Sequence, residues 1–302
     1  MCSQTELKLK VSEVPKVPSL LKPWIFLYKK VPNIININGV GFTFAVLSFL
    51  YLAVWRISSL YLLYSLGWPS WPDNYLTQKA VGSAVAIVHA IQLEFPLFAC
   101  LLAQPFIPSK RMDASPLWLQ HATNALLEFC TGYMIQDTFF VIYRSYETGE
   151  PLNNSDLSFI GHHIACSIYM NSARLVGAGH LSAMMLMFTG EFTCPFQNAH
   201  AMLGFALDTA CCNGTITQLL HKYIELVSCI LYCFFRTFVG PICALYIMYD
   251  LIFTKNGRKN VPVALSVFWC IPMWGVLIGS IPWIKECYGL ILDFTNGQQQ
   301  EL

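Results

Sequence analysis

The stretch 159–198, FIGHHIACSIYMNSARLVGAGHLSAMMLMFTGEFTCPFQN, decides how this chain is read: two hydrophobic segments carry His162 and His163 at one end and Glu191, Pro195 and Asn198 at the other. An ionisable side chain costs roughly 2.5–3.5 kcal/mol to insert into lipid, so a segment that keeps two imidazoles and a carboxylate turns them toward a protein interior. The rest of the chain supports a bilayer setting. Of its 302 residues 55% are hydrophobic and 12% charged, with a mean hydropathy of +0.51. That leaves too little polar surface to cover a soluble globule of this size. The fold class is therefore all-α, a polytopic membrane protein.

Outward from that stretch, apolar runs of about 20 residues recur, the length that crosses ~30 Å of hydrocarbon at 1.5 Å per residue. Seven spans are expected near 39–66, 80–103, 122–143, 158–174, 178–196, 223–252 and 261–284. They define a basic N-terminal segment (1–36), a first span with its loop (37–74), a main membrane domain (75–292) and a polar tail (293–302). No apolar core with a cleavage site follows the basic start, so no signal peptide is expected. The piece Trp24–Tyr28 is too short to span and is expected at headgroup level, where amphipathic aromatics are favoured. One side of the membrane collects Lys8, Lys10, Lys16, Lys22, Lys29, Lys30, Lys110, Arg111, Arg174, Lys255, Arg258 and Lys259, against Lys79, Arg144 and Lys222 on the other. This bias favours a cytoplasmic N-terminus. The sequons at Asn153 and Asn213 both fall on the opposite side.

A net charge of +1 with dispersed Lys and Arg provides no basic face for a nucleic-acid partner. The twelve cysteines include no CxxC pair and fall mostly inside apolar runs, so neither a metal site nor a disulfide framework is suggested. No cofactor is expected.

Polar residues within the spans are the candidate site. His89 stands mid-span, either hydrogen-bonded to a neighbouring helix or facing a substrate cavity. Glu94, five residues on, lies on a different helical face and is set aside. Nine residues separate Glu128 from Asp137, which turns them to opposite faces. Asp137 must be paired or protonated at its depth, and an ion pair with an arginine is the simplest structural reading. His162 and His163 differ by 100°, so one can line a cavity while the other is held by the scaffold. His180, Met184, Met187 and Glu191 form one stripe, and Pro195 breaks the helix just beyond it. Arg236 lies deep in an apolar run, kinked below at Gly240–Pro241. It needs a carboxylate, Asp137 or Glu191, or a lipid phosphate as partner.

His89, Gly132–Tyr133 with Asp137, His162–His163, Glu191 followed by Pro195, Phe196 and Asn198, and Arg236 occur in the order seen in the TLC-domain family. The chain resembles those ceramide-synthase-related membrane proteins over residues 75–255, and specifically their small TLC-domain-containing branch. The resemblance implies a six-helix bundle or barrel around a lipid-accessible cavity, with the first span outside it. It also implies membrane lipids as partners, and a place in the endoplasmic reticulum or another endomembrane, or else the plasma membrane. In ceramide synthases the His pair is essential for N-acylation of a sphingoid base. Carried over, His162 or His163 would be base or nucleophile, acyl-CoA the co-substrate, and His89, Asp137, Glu191, Asn198 and Arg236 would support the cavity. Where the synthases carry acids downstream of the pair, this chain has Glu191, Thr193 and Asn198. The expected function is membrane lipid homeostasis, through acyl transfer to a lipid amine or hydroxyl, or alternatively through non-catalytic lipid binding. A seven-helix retinal protein would instead need a lysine near mid-membrane, and Lys285 sits at the end of its span.

Overall fold

The structure, a computed structural model, describes residues 16–70, 74–209 and 212–296; Lys8, Lys10 and most of the polar tail lie outside them. The chain is almost entirely helical. Short α1 (Lys22–Lys30) precedes a two-stranded hairpin, β1 (Asn36–Ile37) and β2 (Val40–Gly41), which leads into α2 (Thr43–Ser65). Long helices α3 (Tyr75–Leu102), α4 (Leu117–Thr148) and α5 (Asn154–Val176) follow, then the shorter α6 (His180–Glu191) and α7 (Cys194–Leu207). The final part comprises α8 (Thr215–Phe234), α9 (Gly240–Met248), α10 (Lys255–Asn260), α11 (Val263–Gly279) and α12 (Ile281–Thr295).

Among the described residues, five helical segments are long and apolar enough to cross a membrane: α2, α3, α4, Thr215–Phe253 and Val263–Thr295. Length and composition therefore do not establish seven spans. The expected fourth stretch is α5, of spanning length but carrying both histidines and Arg174. The fifth is the pair α6 and α7, interrupted between Glu191 and Cys194. Pro195 stands in the first turn of α7, where its missing N–H costs nothing.

The hairpin was not anticipated. Its turn is Asn38–Gly39, with φ of 51° and 84°, the paired left-handed conformations that a two-residue hairpin needs and that Asn-Gly supplies. Helix α1 is also more than a headgroup anchor. Leu21 and Ile25 are buried at its start, Trp24 meets Phe129 edge-on at 5.0 Å, and the Tyr28 hydroxyl donates to Glu128 at 3.2 Å. Phe26 and Leu27 stay exposed.

Helix α2 lies on the outer flank, most of its surface exposed, but it is seated closely on α4. A Cβ on Gly132 would stand 2.5 Å from the Ala45 carbonyl oxygen and 2.7 Å from Ser48 Cβ, so glycine lets the two backbones approach. Ion pairs fasten the same helices. Arg56 of α2 reaches Asp137 of α4 at 2.8 Å, and Arg144 of α4 reaches Asp156 of α5 at 2.7 Å. Arg174 is not a loop charge: it is buried in the last turn of α5 and paired with Glu128. Glu128 also accepts from the Ala45 N–H, and Arg174 donates to the Gly41 carbonyl and to Asn124 Oδ1, so α1, the hairpin, α2, α4 and α5 meet at one satisfied polar node.

Candidate functional site

A cleft of about 670 Å³, counting its open mouth, lies between α5, α6, the α8–α9 junction and α11. Its walls are mostly apolar, with Leu186, Met187, Phe235, Met273, Val276 and Leu277 among them, and its polar groups include His162, Glu191 and Arg236. Each comes from a different element. Helix α6 ends at Glu191, ~17 Å along its axis from His180 at 1.5 Å per residue. Cys194 opens α7 just across the break, and the Oε2 of Glu191 is buried without a hydrogen-bond partner. Arg236 belongs to a π-helical turn, Phe235–Val239, set between α8 and α9. Pro241 has no N–H to continue the α register there, and a π turn of this kind re-aims one side chain. Phe235 of that turn stacks on Phe192 at 4.7 Å, which holds the α6–α7 break against it.

Arg236 has a surprising set of neighbours. No carboxylate lies within ion-pair distance of it among the described residues: Asp137 is taken by Arg56, and Glu191 lines the same cleft within electrostatic range but outside that distance. Its guanidinium sits 5.5 Å from the Tyr232 ring, and Nε is buried without a hydrogen-bond partner.

The adjacent histidines divide. His162 lines the cleft, with the Cys166 sulfur 3.6–3.7 Å from its ring nitrogens. His163 turns to α4, where Nδ1 is 3.4 Å from the Thr138 hydroxyl and 3.8 Å from Asp137. His89 is fully buried and is not among the residues lining that cleft; its ring stacks on Tyr133 at 3.8 Å and on Phe129 at 5.2 Å, with neither nitrogen hydrogen-bonded. Asn198 donates to the Cys194 carbonyl at 3.0 Å, inside α7 and away from the cleft. One end of the cleft is closed by Tyr169, which stacks on Trp269 at 4.6 Å and donates to the Ser182 hydroxyl. Lys285 is exposed on α12.

Two features escaped the sequence reading. Glu94 is buried with both carboxylate oxygens unpartnered, within electrostatic range of Glu191. It was set aside for facing away from His89, but α2, α4, α6 and α7 all pack on α3, so more than one face of that helix is interior. The second is a group of His200, His221 and Glu225 whose ligating atoms all lie within 4.8 Å of one another. His200 is on α7 and the other two on α8; only the i, i+4 spacing of His221 and Glu225 was visible beforehand.

Outside the spans, a second and more polar cleft of about 590 Å³ opens between Tyr28, the hairpin, Arg111–Asp113 and Arg174. Burial, reinforced by the adjoining Glu128 charge, pushes the Tyr28 hydroxyl up to about 12. It remains a proton donor to Glu128 throughout the physiological range.

No family model matches the chain, and no solved structure matches it. A TLC domain-containing protein of Arabidopsis thaliana is 28% identical over 166 residues, 54% of this chain. The chain spans 60% of the length of that curated relative. That likeness, over about half of the chain, is to a protein named for its TLC domain, and it agrees with the helical membrane architecture.

Proposed function

We propose that this protein acts in membrane lipid homeostasis by holding an anionic lipid in the cleft between α5, α6, α9 and α11. The observation that carries this reading is Arg236, a guanidinium in a mostly apolar cleft with no carboxylate within ion-pair distance among the described residues. A phosphate or carboxylate headgroup provides charge-assisted bonds to this half-buried guanidinium, while Leu186, Phe235, Met273 and Leu277 pack along an acyl chain. Photo-crosslinking tests it: a photoactivatable phospholipid should label residues of α6 and α11 that line this cleft. Adducts spread only over the outer, lipid-facing surface would remove the proposal.

Acyl transfer is the second reading, favoured by the presence of His162 and Arg236 in one cleft. His162 would take a proton from a lipid amine or hydroxyl as that group attacks the thioester carbonyl of acyl-CoA. Arg236 would face the developing oxyanion, and the thiolate of coenzyme A would leave. No carboxylate orients His162, whose neighbouring group is the Cys166 thiol. For that reason binding stands first. Labelled acyl-CoA offered with sphingoid and lysophospholipid acceptors separates the two: product that disappears in His162→Ala establishes transfer, and no product leaves binding alone.

A further inference from the structure

We propose that His200, His221 and Glu225 form a binding site for a divalent cation of the zinc type, clasping α7 to α8. The ligating atoms lie within 4.8 Å of one another, and the His200 Nε2 to Glu225 Oε1 distance is 3.6 Å. Three ligands at ~2.0–2.2 Å from a tetrahedral zinc stand about 3.4 Å apart, so small side-chain rotations bring all three onto one ion. Two imidazoles and a carboxylate, with a fourth position open to water, are a ligand set that zinc takes where it does chemistry as well as where it fastens structure.

The fold explains why these three meet. His221 and Glu225 are one turn apart on α8 and therefore share a face. Helix α7 packs beside it, which brings His200 opposite that face; the His200 and His221 rings are 4.2 Å apart. Gly204, one turn along from His200, faces His221 closely, so no side chain on α7 intrudes.

A bare histidine–glutamate ion pair accounts for less. His200 Nε2 is buried without a hydrogen bond, since 3.6 Å is too long for one, and His221 would have no part in such a pair. Two protonated rings at 4.2 Å would repel, whereas a cation held by their lone pairs turns the same spacing to use. The side chains of His200 and Glu225 are each 31% exposed. The site lies about two turns inside the end of the α7–α8 hairpin, ~10 Å from it at 1.5 Å per residue, within reach of ions from the water phase. Two imidazole nitrogens in the ligand set favour zinc over magnesium or calcium, which prefer all-oxygen ligands.

The test is metal binding by the full chain in detergent. After stripping with a chelator and equilibration with zinc chloride, the wild-type protein should retain one zinc per chain by elemental analysis and should not retain magnesium or calcium. Loss of a supporting outer-shell group already weakens metal sites by ~10–100-fold, so His221→Ala or Glu225→Ala should weaken zinc binding by at least roughly 100-fold. His162→Ala should leave it unchanged. If an alanine variant does not fold, His221→Gln and Glu225→Gln replace it, and zinc alone should raise the unfolding midpoint of the wild-type chain. Absence of retained zinc, absence of that rise, or binding unaltered in the α8 variants would overturn the proposal.

Discussion

Replacing Arg174 by methionine should destabilise this protein far more than replacing its partner Glu128 by glutamine, although both changes break one ion pair. The side chains of Arg174 and Glu128 are each 1% exposed. Removing one member of a buried pair strands the other charge and typically costs ~3–5 kcal/mol. In Arg174→Met the Glu128 carboxylate keeps only the Ala45 N–H at 3.0 Å and the Tyr28 hydroxyl at 3.2 Å, neither of which carries charge. In Glu128→Gln the guanidinium keeps the Gly41 carbonyl and Asn124 Oδ1 and borders the polar cleft, so it is not stranded. The loss there is that of one charged hydrogen bond, about 1.5–3 kcal/mol. At ~2–4 °C per kcal/mol for a domain of 150–250 residues, the midpoints should fall by roughly 6–20 °C and 3–12 °C respectively. Thermal unfolding in detergent, with both variants and wild type measured side by side, decides it. A Glu128→Gln chain that melts at or below Arg174→Met refutes the reasoning, because the retained partners of Arg174 would then contribute nothing.

Further outcomes follow from other contacts. Gly132→Ala places a methyl group 2.5 Å from the Ala45 carbonyl oxygen and should cost ~1–3 kcal/mol as α2 is pushed off α4; an unchanged melting midpoint would show that the helices separate freely. Tyr28 has its folded-state value raised above the ordinary 10.0 to about 12, so the stability it contributes is complete below pH 10.0 and lost as pH rises through about 12. Tyr28→Phe should therefore remove part of the alkaline destabilisation in that window, and identical pH profiles for the two chains would contradict the assignment. His163→Ala should lower thermal stability, since it vacates the space between Thr138, Asp137 and Tyr133, yet leave cleft labelling by the photoactivatable lipid intact. His162→Ala should do the reverse.

What the sequence revealed and what it hid divide along physical lines. Local periodicity and chain-breaking residues were legible: Pro195 places the break after Glu191, and the 100° between His162 and His163 separates a cleft-lining ring from a scaffold ring. An arginine partner for Asp137 was expected on charge grounds, but nothing local identifies it as Arg56, 81 residues away. Pairings between distant helices stayed hidden for the same reason. Arg174 reads as a loop charge until Glu128 is seen beside it, and His200 has no meaning as a ligand until α7 folds back along α8. Glu94 was misplaced because a one-faced helix was assumed where neighbours surround α3. The hairpin was legible in Asn38–Gly39, though its apolar flanks are too short to stand out as strands.

The central claim is that Arg236, with no carboxylate at ion-pair distance among the described residues, receives an anionic lipid headgroup. Native mass spectrometry of the chain released gently from detergent, beside Arg236→Gln, measures this directly. The account predicts a bound anionic lipid on the wild-type chain that is absent or strongly depleted in the variant while the melting midpoint is kept. A wild-type chain that carries no lipid, or an Arg236→Gln chain that carries the same lipid to the same extent, would contradict it.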